Sequence, residues 1–306
     1  MNYKEIIAQK TKETEELIKN YLPKEEGYQK TVIEAMNYSF LAGGKRLRPL
    51  IMLETYKAFG GKTKAIEPFM AALEMIHNYS LVHDDLPEMD DDELRRGMPT
   101  THIKYGAGMA VLAGDGLLNY AFELAASAFD GCDTLDDYKR TSKALKVLAN
   151  KAGIYGMIGG QTLDVESAEK NLTLTKEAIL FIDENKTAAL LQAAFMIGAI
   201  VAGADESIVG ELEEIGYNVG VAFQLQDDIL DVTSTTEMLG KPVGSDEQAG
   251  KVTHITVMGF DQTSKIQREL SDKAAAALTR LADKACDKEA IEFLSYLTAS
   301  LADRKM

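Results

Sequence analysis

Two aspartate clusters interrupt otherwise apolar stretches of this chain. The first runs Asp84-Asp85-Leu86-Pro87-Glu88-Met89-Asp90 and is followed by Arg95-Arg96; the second is Asp227-Asp228-Ile229-Leu230-Asp231. Carboxylates are costly to bury unless something compensates their charge. Two such clusters in one chain point to a shared cation site, with magnesium holding an anionic substrate between them.

Spacing predicts how each cluster is presented. Asp227 and Asp231 are four apart and share a helix face, while Asp228 points about 100° away. The preceding run Gly220–Gln226 is mostly apolar, so this cluster reads as the end of a buried helix. Asp84 and Asp90 are six apart and cannot share a face of a straight helix. Pro87 resolves this: it has no amide proton and disfavours helix at Leu86. The helix from Ala65 is therefore expected to end near Asp85, with a loop bringing Asp90 back and Arg95 and Arg96 following. Taken alone, the acidic run at 89–93 is a solvated surface. The pair, each member preceded by an apolar helix, is far more specific.

Anion-binding groups accompany the carboxylates. Gly43-Gly44-Lys45-Arg46-Leu47-Arg48-Pro49 places three cations at a loop-to-helix junction, where glycine admits close backbone approach and a helix start favours phosphate. In isolation this is a solvated basic turn. His77 lies seven residues before Asp84, nearly on the same face and about 10 Å along the axis. Lys186-Thr187 stands at the head of an apolar helix, where a cap or ion pair is the ordinary alternative.

The elements that must carry these groups are helical. Ala65–His83, Ala107–Phe129, Thr175–Val201, Glu206–Asp231, Asp261–Ala285 and Lys288–Leu301 all read as helices. Only Val252–Met258 looks strand-like, and one isolated strand makes no sheet, so helix or loop is expected there. These lengths predict one all-α, single-domain helical bundle over residues 1–306. The chain has 306 residues and a net charge of −15, with a pI near 4.8. That balance argues against nucleic acid and against stable attachment to an anionic membrane. Two isolated cysteines, Cys132 and Cys286, and the lack of a leader pattern at Met1–Glu5 lead us to expect a cytoplasmic protein.

In their order along the chain these residues resemble the trans-isoprenyl diphosphate synthases, and most of all bacterial farnesyl diphosphate synthases. The resemblance rests on GGKRLRP at 43–49, HDDLPEMDDDELRRGMPTTH at 83–102, GDGLLNYAF at 114–122 and GGQTLDVE at 159–166. It continues with KTAAL at 186–190, FQLQDDILD at 223–231 and GKPVGSDEQAGK at 240–251. It implies an isoprenoid synthase fold with a central substrate cavity, a homodimer, and Mg2+ as cofactor. The implied reaction condenses isopentenyl diphosphate with dimethylallyl and then geranyl diphosphate. Carried over, Asp84, Asp90, Asp227 and Asp231 hold metal, with Asp85 and Asp228 as second choices. Arg95, Lys186, Lys241 and Lys251 contact the allylic diphosphate. Lys45, Arg48, His77 and Arg96 hold isopentenyl diphosphate without metal. Lys186, Thr187, Gln224 and Lys241 form the catalytic set, and Gln161 and Asp164 back the first cluster.

The same resemblance makes Tyr79, with Ser80 beside it, the floor that limits chain length and implies a fifteen-carbon product. Ideal-helix angles put Tyr79 about 140° from Asp84, so this role comes from the resemblance alone. One departure stands out. After Lys251 the family has Thr, an aromatic residue and Pro, whereas this chain reads Val252-Thr253-His254-Ile255. The rival readings are a geranylgeranyl diphosphate synthase, a class I terpene cyclase and a non-catalytic acidic metal-binding scaffold. The cyclase would lack the Lys45, Arg48 and His77 pocket, and the scaffold leaves the matched cations unexplained.

Overall fold

A computed structural model describes residues 3–170, 172–233 and 252–302. Lys241 and Lys251 lie outside the described residues. The chain falls into two compact units: Met1–Leu53 with Thr63–Leu145, and Glu54–Lys62 with Lys146–Met306.

The first unit contains α1 (Tyr3–Lys19), α2 (Lys30–Leu41), the start of α3 (Leu47–Ala58), α4 (Glu67–Asp84), α5 (Thr101–Tyr105), α6 (Ala107–Ser127) and the start of α7 (Leu135–Ala152). Its core is α4, which is apolar on every side. Phe69, Met70, Leu73, Met75 and Ile76 are fully buried, and α6, α2 and α1 pack around them. A helix buried all round makes good its desolvated backbone by its own hydrogen bonds. Pro68 sits in its first turn, where a missing amide proton costs nothing.

The helix stops where Pro87 predicts. Asp85 caps it, and the chain folds back so that the Asp90 amide donates to the Asp84 carbonyl at 2.8 Å. A small antiparallel hairpin follows, β1 (Leu94–Arg95) against β2 (Met98–Pro99), with Arg95 opposite Met98. Its two turn residues, Arg96 and Gly97, both have positive φ (54° and 76°), the type I′ geometry that matches strand twist. Among the described residues the all-α expectation holds apart from this hairpin.

The second unit holds α8 (Met157–Glu169), α9 (Lys176–Ile182), α10 (Ala189–Ala202), α11 (Glu206–Thr233), α12 (His254–Met258), α13 (Phe260–Leu281) and α14 (Lys288–Ala302). Here α11 packs against both α10 and α13, and Ala188, just before α10, joins Val221, Ala222, Leu225 and Leu270 in one buried cluster. Within the strand-like stretch at 252–258, His254–Met258 is helical, and Thr253 caps it with a reciprocal capping box to Thr256.

One helix is broken where the sequence reads continuous. Between α9 and α10, Asp183–Ala188 forms a π turn that carries Lys186 and Thr187. Such insertions recur at functional sites because they re-aim side chains without ending the helix. By length and composition Lys176–Ala202 could cross a membrane, yet 67% of its apolar window is buried inside the protein. It is a core helix.

Candidate active site

In the first unit, three predicted ligands of a metal-free diphosphate, Arg48, His77 and Arg96, gather at one place, and the fourth, Lys45, lies on the adjoining loop. Gly43 and Gly44 both have positive φ (91° and 139°), and a side chain at Gly44 would strike the Arg96 guanidinium. Arg96 donates to the Gly43 carbonyl, so the hairpin is tied to this loop. Lys45 is exposed on the same loop, and Arg48 lies on the first turn of α3. Half-buried His77, on α4, is held well below its ordinary imidazole range, first by burial and then by Arg48, Arg96, Arg46 and Arg95. A neutral imidazole ringed by guanidinium groups is an electropositive recess suited to an anion. Burial pulls Arg48 and Arg96 below the usual arginine range. The Nε of Arg48 is buried without a hydrogen-bond partner, a donor left for a ligand.

Arg46 corrects the sequence reading of three cations on the anion-binding loop. Its side chain is fully buried and turns inward, donating to Glu74 at 2.7 Å, Glu15 at 3.1 Å and the Phe40 carbonyl at 2.5 Å. It holds the loop to α4 and α1. Its φ of 46° and its burial were invisible to spacing.

The carboxylates differ among themselves. Asp84 is half-buried, Asp90 exposed and Asp85 buried. Asp85 is gripped by Arg95, whose Nε and one terminal nitrogen lie 2.6 and 2.5 Å from the same oxygen. Burial raises the Asp85 carboxyl pKa, and Arg95 opposes that shift. Arg95 also reaches Asp92 at 3.2 Å. This clamp was not foreseen, and it sets Arg95 beside the first motif. A small cavity next to it is lined by Asn78, Asp85, Arg95, Arg96 and Thr100.

Tyr79 is buried one turn and a half before Asp84, its ring edge-on to His83 with centroids 5.8 Å apart. Its hydroxyl has no hydrogen-bond partner, and burial pushes its pKa up to about 12. Ser80 is half-buried, its hydroxyl returned to the His77 carbonyl at 2.9 Å.

The second unit assembles the rest. Asp227 is half-buried on α11, whereas Asp228 and Asp231 are buried. Lys186 donates to Asp164 at 2.6 Å, and Thr187 donates to the side-chain amide oxygen of Gln224 at 3.3 Å. Gly160 allows this arrangement, since a Cβ there would collide with the backbone of Lys186 and Asn185. Gln161 is half-buried on α8, in the same helix as Asp164.

Among the described residues no three His, Cys, Asp or Glu side chains converge into a preformed metal cage. The donors at both motifs are carboxylate oxygens. Magnesium usually takes one or two carboxylates and completes its shell with water and substrate phosphate. The residues therefore fit magnesium carried in with a diphosphate.

An all-helical fold, with carboxylate motifs and an arginine-lined recess, defines a class of enzyme acting on diphosphates. Residues 29–294 match the family described as polyprenyl synthetase, and the chain belongs to that family. It is a prenyltransferase of isoprenoid synthesis, and the family acts on isopentenyl diphosphate and allylic diphosphates. The chain is 43% identical over 265 residues to farnesyl diphosphate synthase of Escherichia coli, covering 86% of this chain and 87% of that one. It is 38% identical to farnesyl diphosphate synthase of Geobacillus stearothermophilus, covering 98% of each. The chloroplastic geranylgeranyl pyrophosphate synthase of Catharanthus roseus is 42% identical over 80% of this chain and 67% of its own length. Among solved structures, geranylgeranyl pyrophosphate synthetase from Pyrococcus horikoshii superposes with a TM-score of 0.87 at 32% identity, covering 100% of both chains. Geranyltransferase from Helicobacter pylori, complexed with magnesium and isoprenyl diphosphate, gives 0.82 at 31% identity and covers 98% of both. The isoprenoid synthase fold expected from the motifs is the fold of this chain.

Proposed function

We infer that the chain is a farnesyl diphosphate synthase, adding isopentenyl diphosphate to dimethylallyl and then to geranyl diphosphate. The observation that carries this reading is the recess of Arg48, His77 and Arg96 beside the aspartate loop. A reaction with one diphosphate that must ionise and one that must stay intact needs two kinds of anion site. The carboxylate motifs supply one kind and the arginine recess the other.

Asp84 and Asp90 in the first unit, and Asp227 and Asp231 in the second, would hold Mg2+, which would supply neutralisation of the charge developing on the departing pyrophosphate. Arg95 and Lys186 contact the allylic diphosphate and are joined by Lys241 and Lys251. Lys45, Arg48, His77 and Arg96 hold isopentenyl diphosphate by charge-assisted hydrogen bonds. Thr187 and Gln224 turn their oxygen dipoles toward the allylic carbon. Their mutual hydrogen bond supports this role by fixing both side chains. Tyr79 meets the tail of the growing chain one and a half turns below Asp84, with Ser80 beside it. The two units work as one catalytic domain. Exposed Ile103, Val111 and Leu112 on α5 and α6 support a homodimer. The acidic surface supports a cytoplasmic enzyme without a nucleic-acid partner or stable membrane association.

The test is product identity. With magnesium, isopentenyl diphosphate and dimethylallyl or geranyl diphosphate, followed by phosphatase, farnesol is the expected main alcohol. Geranylgeraniol as the main product would move the chain to the twenty-carbon synthases. Cyclic hydrocarbons from farnesyl diphosphate, without elongation, would favour a cyclase.

A further inference from the structure

His254, the residue that departs from the family pattern, lies at the centre of a buried junction in the second unit. Its Nε2 is 2.5 Å from Asp183 Oδ2, with both side chains almost wholly buried. Its backbone amide donates to Asp228 Oδ2 at 2.9 Å. Asp183 opens the π turn that carries Lys186 and Thr187, and Asp228 is the middle carboxylate of the second motif. One residue therefore bonds to both catalytic segments.

The neighbourhood favours a fixed rather than an adaptable contact. Thr253 caps α12, which holds the His254 backbone at the helix start. Burial raises the Asp183 carboxyl pKa, and the hydrogen bond from His254 is the largest opposing influence. With its proton on Nε2 the ring donates to Asp183, while Nδ1 is buried with no hydrogen-bond partner. The ring thus makes one side-chain hydrogen bond, and it is spent on the π turn. Within the turn, Lys186 is bonded to Asp164 and Thr187 to Gln224. Apart from the packing of Ala188 and the close approach of Gly160, the other side-chain bonds that tie the turn to neighbouring helices run through Lys186 and Thr187, the two residues that must act on substrate. Six π-type residues are intrinsically less stable than regular helix, so an external anchor matters more here than it would in an α-helix.

We propose that His254 is a positioning residue that ties the π turn at 183–188 to the aspartate motif at 227–231, setting Lys186 and Thr187 at a fixed distance from the metal-binding carboxylates. A phenylalanine ring at this position could fill the space but, lacking a hydrogen-bond donor, could not hold Asp183. The proposal rests on the diphosphate reading of this site. It concerns the geometry of the junction and requires no proton transfer by the ring.

The experiment compares His254→Phe, the double variant H254F/D183N and His254→Gln. The first leaves a buried carboxylate without its partner and is expected to lower the melting temperature. The double variant removes that charge and recovers folding, which separates the tether from stability. Amide hydrogen exchange, with no ligand present, reads the tether directly: 183–188 is expected to exchange on the order of tenfold faster in the double variant. Magnesium-dependent binding of inorganic pyrophosphate, measured by calorimetry, is expected to weaken, with kcat falling on the order of tenfold and KM for isopentenyl diphosphate unchanged. His254→Gln presents a nitrogen donor at similar reach and is expected to restore most of each loss. A folded double variant with wild-type exchange at 183–188 and wild-type pyrophosphate affinity would overturn the tether. Faster exchange in a protein whose wild type does not elongate would leave the tether standing and overturn the farnesyl reading instead.

Discussion

Arg95 contacts Asp85 through two nitrogens that converge on a single carboxylate oxygen, at 2.6 and 2.5 Å, across the loop that Pro87 begins. The carboxyl is buried and the guanidinium half-buried. The first aspartate motif is therefore held in shape by its own arginine, and the second oxygen of Asp85 is outside this pair.

That pairing predicts a particular pattern of damage. R95A strands a buried carboxylate and should cost about 1–3 kcal/mol of stability, measured by urea unfolding, together with a large loss of kcat/KM. The double variant R95A/D85N should recover the stability and leave the activity low. Full recovery of activity in the double variant would show that Arg95 serves Asp85 alone and not the allylic diphosphate.

Arg46 and Arg48 stand two residues apart and should behave in opposite ways. R46A leaves Glu74, 2% exposed, without its cation. Breaking a buried pair in this way costs about 3–5 kcal/mol, so the variant should unfold at markedly lower urea while its folded fraction retains kcat. R48A should fold normally and raise KM for isopentenyl diphosphate with little effect on KM for geranyl diphosphate. Steady-state kinetics with each substrate varied in turn will separate the two.

His77 gives a pH dependence with a definite sign. The folded imidazole takes up its proton only well below 6.5, because burial and the surrounding arginines oppose the charge. The unfolded chain takes it up near 6.5, so below that pH it binds more protons than the folded chain. Stability should therefore fall as pH drops from 6.5 toward the depressed folded value, by at most about 1.4 kcal/mol per pH unit. Urea titrations without substrate at several pH values should show this slope in wild type and its reduction in H77F. Parallel curves for the two proteins would remove His77 as the source.

Tyr79 separates its ring from its hydroxyl. The hydroxyl is buried and unpartnered, so Y79F should leave the melting temperature unchanged or raise it, with farnesol still the product. Y79A removes the ring and should shift the product toward geranylgeraniol. Unchanged product length in Y79A, read by chromatography of the alcohols, would move the floor to another residue.

Asp227 tests the second motif. D227A should keep its helical circular dichroism and lose at least about 10³-fold in kcat, because the charge it stabilises develops chiefly in the transition state. Turnover within tenfold of wild type would rule out the two-motif mechanism.

Much of this molecule was legible in order and spacing. Pro87 alone predicts the end of α4, since a residue without an amide proton cannot continue the ladder, and the chain turns back there to join Asp90 to Asp84. Helical periodicity located α4, α6, α11, α13 and α14, because apolar residues recurring every three to four positions bury only as helices. Helices α2, α3, α7 and α8 were found only in the fold. The motifs likewise identified the family without any coordinates.

What required tertiary structure was partnership, which no spacing encodes. Arg46, Arg48 and Arg96 are chemically alike in sequence. Packing turned the first inward to Glu74 and Glu15 and set the other two around His77. The π turn at 183–188 reads as ordinary helix, and the groups that meet it, Gly160 with the bonds to Asp164, Gln224 and His254, come from other helices. His254 was visible only as a break in a pattern. Its link to Asp183, 71 residues away, follows from burial: a desolvated carboxylate must find a donor, and the fold decides which one.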